Sequence, residues 1–119
     1  MASRIRRAGQ RDRLPEGARL CSRPSTYGNP FRVADILAAN PALTDTEAQQ
    51  EAVDRHRRWL DGEGPDHIRC GGRIYDRTQV HTRIAAGDLT GLDLACSCRL
   101  DQPCHVDYLL NLANAGASH

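Results

Sequence analysis

The densest group of potentially reactive side chains lies in the segment Cys96-Ser97-Cys98-Arg99-Leu100-Asp101-Gln102-Pro103-Cys104-His105. These ten residues contain three of the five cysteines and one of the five histidines. Thiolate sulfur and imidazole nitrogen are the ligands that Zn²⁺ selects, and the same groups form nucleophilic Cys/His sites. The segment is therefore the first candidate for a functional site.

Two chemical interpretations of this segment are open. In the first, Cys96, Cys98, Cys104 and His105 bind Zn²⁺, which would be structural with four protein ligands and catalytic if one position stays open to water. In the second, Cys104 or Cys98 is a nucleophile assisted by His105 and Asp107. Asp107 and His105 are accordingly the candidate catalytic residues.

A third interpretation needs no chemistry. The cysteines would be small buried residues at the end of a strand, and His105 would make a capping or polar contact.

Cys96 and Cys98 are two residues apart, so on an extended strand their side chains point the same way. Cys21 would complete a four-sulfur site if its strand lies beside that of Cys96.

A second motif, Arg23-Pro24-Ser25-Thr26-Tyr27-Gly28-Asn29-Pro30-Phe31, predicts an ordered loop. The two prolines favour extended backbone in the residues before them, and the glycine between them allows a positive φ. The loop would present three candidate substrate-binding residues, namely Arg23, Ser25 and Asn29. Arginine and hydroxyl groups suit a phosphate or carboxylate, while the alternative is a structural turn whose polar groups bond to one another.

The elements that must position these motifs follow from periodicity and capping signals. Thr44 and Glu47 form a capping box before a helix over 45–61, in which Trp59 is expected to anchor the core and His56 to be a core-edge histidine. The other expected elements are a strand at 18–22, a hairpin at 68–75, a helix at 77–86 capped by Asp76, a strand at 92–96 and a helix at 104–114. This order predicts a single α/β (or α+β) domain with a short sheet covered by about three helices.

The length of the chain limits the number of domains, and its charge bears on contact with nucleic acid. The 119 residues suffice for one domain, with residues 1–19 as an arginine-rich arm, disordered or ordered by a partner, 20–114 as the globular part and 115–119 as a tail. The net charge is +1, and all 16 basic residues are arginine. The arm could contact nucleic acid or be a solvated tail.

The sequence shows no signal peptide, transmembrane span or lipidation motif, which predicts a cytoplasmic protein without membrane contact. In a reducing cytosol, clustered cysteines are more often metal-binding or catalytic than disulfide-bonded.

The two motifs together resemble the DUF4326 family of domains of unknown function, found in bacteriophages and in actinobacteria and other bacteria. Its pattern is Gly-Arg-Pro-Ser-x-x-Gly-Asn-Pro-Phe, a helix ending in Trp-Leu, and Cys-Trp-Cys followed by Cys-His-x-Asp and leucines. The resemblance covers about residues 20–114. Carried over by position, the polar set of the family is Arg23, Ser25, Asn29, Cys96, Cys98, Cys104, His105 and Asp107.

This chain departs from the family pattern in two places. Cys21-Ser22 stands where the pattern has an aliphatic residue and Gly, and Ser97 replaces the Trp between the cysteines. The second change removes an aromatic ring that could have stacked on a ligand. The resemblance implies a phage or prophage setting and leaves the activity open.

We therefore expect one of two functions. The first is an enzyme acting on a nucleotide, base or nucleic acid, with Arg23 and Asn29 orienting the substrate and His105 with Asp107 ligating the metal or moving a proton. The second is a zinc-stabilised module that binds nucleic acid or a host protein without catalysis. A small phage protein that inhibits a host target through surface contacts is a third possibility.

Overall fold

The computed structural model describes residues 3–6, 16–21, 25–96 and 102–114. Over these residues the fold is mixed α/β, which confirms the predicted class. The strands are β1 (Arg4–Arg6), β2 (Ala18–Leu20), β3 (His67–Cys70), β4 (Arg73–Asp76) and β5 (Asp93–Cys96). The helices are α1 (Val33–Ala39), α2 (Asp45–Leu60), α3 (Arg77–Ala85) and α4 (Val106–Asn114).

A three-stranded parallel sheet with the order β1-β5-β2 forms the centre of the fold. The register places Arg6 opposite Cys96 and Leu20 opposite Ala95. The pairing continues one residue further, because the Cys21 N–H donates to the Ala95 carbonyl at 2.7 Å. Since all three strands run the same way, Arg6, Cys21 and Cys96 lie at one end of the sheet, called the carboxyl edge below.

The sheet includes residues that the sequence analysis assigns to the arm. Residues 4–6 form β1, and residues 18–19 belong to β2. Their shared partner, β5, lies near the other end of the chain, so no local pattern could reveal the pairing. Residues 7–15 lie outside the described part of the chain.

The long helix α2 begins as predicted. Its capping box is complete: the Glu47 N–H donates to Thr44 Oγ1 at 3.1 Å, and the Thr44 N–H donates to Glu47 Oε1 at 2.8 Å. Near its other end Trp59 is 2% exposed and donates from Nε1 to the Pro65 carbonyl at 2.6 Å. The predicted core anchor is therefore confirmed, and it also fixes the turn that follows the helix.

The hairpin and the short helix also match their predictions. Gly71 and Gly72 have φ values of 59° and 80°, the left-handed conformation that a two-residue hairpin turn requires. At the end of β4, Asp76 Oδ1 accepts hydrogen bonds from the Thr78 and Gln79 N–H groups and so caps α3.

The main core lies between the parallel sheet, α2, α3 and α4. Its largest buried side chains include Trp59, Tyr27, Leu89, Leu94 and Leu109. The helix α1, which the sequence analysis did not predict, packs on α2 through a separate small cluster around Ile36 and Ala52. Within the described ranges, no helix is both long and apolar enough to cross a membrane.

Candidate functional site

Two cysteines of the predicted segment meet at the carboxyl edge of the sheet. Cys96 is the last residue of β5, and Cys104 lies two residues before α4. Their sulfur atoms are 2.9 Å apart, and each residue is 1% exposed. The strand-end to helix-start geometry expected from the sequence therefore brings these two sulfurs into direct contact.

His105 contacts Cys104 of this pair and the backbone of Cys21. Its Nε2 lies 2.7 Å from the Cys21 carbonyl oxygen, and its Nδ1 lies 3.8 Å from Cys104 Sγ. A carbonyl can only accept, so Nε2 carries the hydrogen. In the neutral ring, Nδ1 then has a free lone pair on the side of the sulfur atoms. A backbone carbonyl that fixes the tautomer in this way is the usual second partner of a metal-binding histidine.

Arg4 is a member of the site that the sequence analysis missed. Its guanidinium donates to the Gln102 carbonyl at 2.9 Å, bonds to the Cys104 side chain and lies 3.5 Å from the Asp107 carboxylate. Burial lowers the pKa of Arg4, but the bond to Cys104 and the negative charge of Asp107 outweigh it, so the pKa is raised overall. Its position on a short strand that pairs far along the chain gave no local signal.

Asp107 itself lies in the first turn of α4 and is exposed. A carboxylate there is favourable, because it faces the positive end of the helix dipole. Its ion pair with Arg4 places it next to the Cys104 side of the site and open to solvent.

His56 on α2 is buried against the same group. It is 1% exposed, and its ring meets the His105 ring edge-on at a centroid distance of 5.2 Å. Burial, with a smaller contribution from His105, lowers its pKa well below the ordinary value, so the ring is neutral. Its Nδ1 is buried and finds no hydrogen-bond partner within the described part of the chain. The helical stripe that marked it as a core histidine also carries it to the site.

Cys21 lies beside this group at the end of β2. Its carbonyl holds His105, while its own thiol contacts the Arg19 carbonyl at 3.8 Å. Burial raises the pKa of the Cys21 thiol to about 12. Burial thus favours the protonated thiol of Cys21 in the metal-free protein.

The loop at 25–31 follows β2 in the chain, after residues 22–24, which lie outside the described part. Ser25 Oγ is buried and has no hydrogen-bond partner among the residues that the structure describes. The Asn29 amide donates from Nδ2 to the Ala52 carbonyl at 3.0 Å and accepts from the Phe31 N–H at 2.9 Å. The Asn29 side chain thus holds the loop to α2, whereas Ser25 carries unused hydrogen-bonding capacity. Arg23 lies outside the described residues.

A buried tyrosine fixes the middle of this loop against the sheet. The Tyr27 hydroxyl donates to the Asp88 carboxylate, which also accepts from Arg19 on β2. Burial and the bond to Asp88 raise the pKa of Tyr27, so its hydroxyl stays protonated. This network couples the loop to the strand whose carboxyl end leads into the motif.

The described residues test the zinc prediction only in part. Cys98 lies outside them, and among them no group of three or more His, Cys, Asp or Glu side chains is arranged to hold a metal ion. The donor chemistry of Cys96, Cys104 and His105 fits zinc. Thiolates on one tetrahedral zinc ion lie roughly 3.7 Å apart, given Zn–S bonds of about 2.3 Å. Metal binding would therefore move the two sulfurs apart.

Comparison with known proteins identifies the family. The sequence profile described as "Domain of unknown function (DUF4326)" matches residues 4–115. The chain therefore belongs to this family, as the two motifs indicated. No curated protein and no solved structure matches it significantly.

Proposed function

We propose that this member of the DUF4326 family binds Zn²⁺ through Cys96, Cys98, Cys104 and His105 and receives a nucleotide, a base or nucleic acid beside that site. The observation that carries the proposal is the contact between the Cys96 and Cys104 sulfurs, with the Nδ1 side of His105 turned towards them. We place this function in the bacterial cytoplasm, in a phage or prophage setting, where free thiols persist.

The zinc part rests on the chemistry of the donors. The Cys96 and Cys104 sulfurs meet at the junction of β5 and α4, and His105 Nδ1 lies 3.8 Å from the Cys104 sulfur. Cys98 is two residues from Cys96 in the sequence. Bound there, Zn²⁺ would neutralise thiolate charge and, with an open position, would act as a Lewis acid. The protein's own contribution is the hydrogen bond from His105 Nε2 to the Cys21 carbonyl, which orients the ring.

The ligand part rests on the position of the site. In open α/β sheets, ligands bind outside the carboxyl ends of the strands, and the Cys/His pair and the loop at 25–31 both follow such ends. The unpartnered Ser25 hydroxyl supports a polar ligand there. The candidate contacts are Ser25 and Arg23, with Asp107 at the solvent side. The amide of Asn29 contributes by holding the loop in place.

Burial of the sulfurs favours the alternative, a zinc-stabilised binding module without catalysis. Cys96 and Cys104 are each 1% exposed, which suits a structural ion better than one that meets a substrate. In that case the metal holds β5 to α4, and arginines on the surface contact nucleic acid or a host protein.

Elemental analysis of tag-free protein tests the metal. We expect one zinc ion per chain in the wild type and in Cys70→Ser, since Cys70 lies on the hairpin strand β3 and is not among the proposed ligands. Cys98→Ser and Cys104→Ser should lose the metal together with thermal stability. Wild-type protein without bound metal, or full metal retention in Cys104→Ser, would refute the zinc site.

A second experiment separates the enzyme from the binding module. Asp107 is exposed, so Asp107→Asn should leave the fold and the metal content unchanged. If the protein is an enzyme, this variant loses turnover of nucleotides or nucleic acid while retaining binding. If it is a binding module, wild-type protein shows salt-sensitive binding of DNA or RNA without any product, and Asp107→Asn behaves identically. Absence of both binding and turnover would contradict both versions.

A further inference from the structure

We propose that Cys96 and Cys104 are a site of reversible oxidation, forming a disulfide when the metal-free protein meets hydrogen peroxide. The inference concerns sulfurs that the proposed function assigns to zinc, but it needs only the two thiols and holds without a metal. Where zinc does bind, disulfide formation would remove two of its donors and so release it.

The first argument is the geometry of the pair. The two sulfur atoms lie 2.9 Å apart, and a disulfide bond requires a separation of about 2.05 Å, so the remaining approach is under about 1 Å. No other pair of described cysteines is recorded in such contact. Because both residues are buried at 1% exposure, the small peroxide molecule suits the site better than a bulky oxidant.

The second argument is that both sulfurs are held by structure on either side. Cys96 ends the central strand β5, opposite Arg6 of β1. Around Cys104, the Gln49 side chain donates to the Pro103 carbonyl at 2.9 Å, and the Asp107 N–H donates to the Cys104 carbonyl at 3.2 Å. These contacts fix the segment before α4, so the sulfurs stay neighbours without a change of fold.

The third argument is that Cys104 has the partners of a reactive thiol. Nδ1 of His105 lies 3.8 Å from its sulfur, and Nε2 of the same ring donates to the Cys21 carbonyl. The Arg4 guanidinium bonds to the same side chain and places positive charge beside it. Polar groups next to a cysteine sulfur assist its reaction as a nucleophile.

Cys104 therefore attacks first. Its sulfur bonds to one peroxide oxygen as the O–O bond breaks, giving a sulfenic acid and a hydroxide ion that takes the proton released by the Cys104 thiol and becomes water. The Cys96 sulfur then attacks the Cys104 sulfur, the S–O bond breaks, and the departing hydroxide takes the Cys96 proton. Overall, two thiols are oxidised to one disulfide and one peroxide is reduced to two water molecules.

Mass spectrometry of the full-length, chelator-treated and reduced protein tests the proposal. After hydrogen peroxide treatment, the wild type, Cys70→Ser and Cys98→Ser should each lose the mass of two hydrogen atoms, and dithiothreitol should restore it. Trypsin cleaves after Arg99, so the peptides containing Cys96 and Cys104 remain linked only if the disulfide joins them. The Cys98→Ser variant removes the ambiguity of a second cysteine in the first peptide.

Cys104→Ser is the negative variant, in which no linked peptides should form because the attacking sulfur is absent. Failure of Cys98→Ser to form the linked peptides, or a wild-type linkage through Cys98 instead of Cys96, would overturn the proposal. Metal content is measured separately, so the two ideas fail in different ways. If the purified protein contains no zinc but forms the disulfide, only the oxidation site is supported. If the protein binds zinc but its metal-free form does not form the disulfide, only the zinc site is supported.

Discussion

The Asn29 side chain allows the structural and substrate-binding roles of the 25–31 loop to be separated. In Asn29→Ala, the Ala52 carbonyl loses its contact with Nδ2 and the Phe31 N–H loses its acceptor. Each such bond contributes about 0.5–1.5 kcal/mol net, and an orphaned donor costs more than a carbonyl that keeps another partner. We therefore expect the free energy of unfolding to fall by about 2 kcal/mol.

Urea unfolding followed by Trp59 fluorescence measures this loss. With a urea dependence of about 1–3 kcal/mol per molar, typical of small proteins, the midpoint should fall by roughly 1 M. The matched control is Ser25→Ala in the same loop. Since its hydroxyl has no partner in the structure, its removal should change the free energy of unfolding by less than about 0.5 kcal/mol or raise it.

Ligand-binding measurements on the Ser25 variant complete the separation of the two roles. If Ser25 contacts a ligand, Ser25→Ala weakens binding while retaining stability. The reasoning fails if Asn29→Ala unfolds at the wild-type urea concentration, because its two hydrogen bonds would then contribute nothing. It fails equally if Ser25→Ala is as destabilised as Asn29→Ala, because the Ser25 hydroxyl would then have a partner.

Three further predictions concern the framework around the site. Thr44→Ala breaks the capping box of α2 and should cost about 1 kcal/mol in urea unfolding, whereas the exposed Asp45→Ala should cost less. Arg77→Met removes guanidinium bonds to the Trp59 carbonyl and to the following turn, and should lower the free energy of unfolding by about 2–3 kcal/mol. Because burial depresses the pKa of His56, the unfolded chain binds a proton that the native protein does not. Metal-free protein should therefore lose stability as the pH falls below about 6.5, by up to about 1.4 kcal/mol per pH unit, and His56→Gln should show a shallower slope in urea titrations across that range.

Sequence reasoning predicted the elements whose signals are local. The capping box at Thr44, the paired glycines at 71–72 and the cap at Asp76 each combine a side chain with backbone groups a few residues away. Such contacts are encoded in short stretches, so α2, the hairpin and α3 could be predicted with bounds close to those observed.

The elements that were missed depend on distant partners or weak signals. The strand β1 has three residues, too few for a periodic pattern, and exists because it pairs with β5. The helix α1 has no side-chain cap at Arg32, and Ile36 is its only buried residue among those described. A stretch of sequence around β1 or α1 therefore contains too weak a signal to predict either element.

The candidate site shows the same division. The contact between Cys96 and Cys104 follows from a strand ending where a helix begins, which the sequence pattern indicated. Arg4 reaches the site only through the pairing of β1 with β5, and its neighbours in sequence do not mark it. The helical stripe of α2 indicates that His56 is a core-edge residue, but its contact with His105 depends on tertiary packing. The internal role of the Asn29 amide likewise depends on Ala52, which belongs to another element.

The central position of β5 also sets the order in which the chain can fold during synthesis. β1 and β2 do not pair with each other, and each pairs with β5, so both must wait until residues 93–96 have left the ribosome. Ser3 and Asp93, bonded at 3.0 Å, are 90 residues apart. Closing such long loops is slow, whereas α2 and the hairpin depend on near neighbours. We therefore expect the helical and hairpin segments to form first and the Cys/His site to be assembled in the last step.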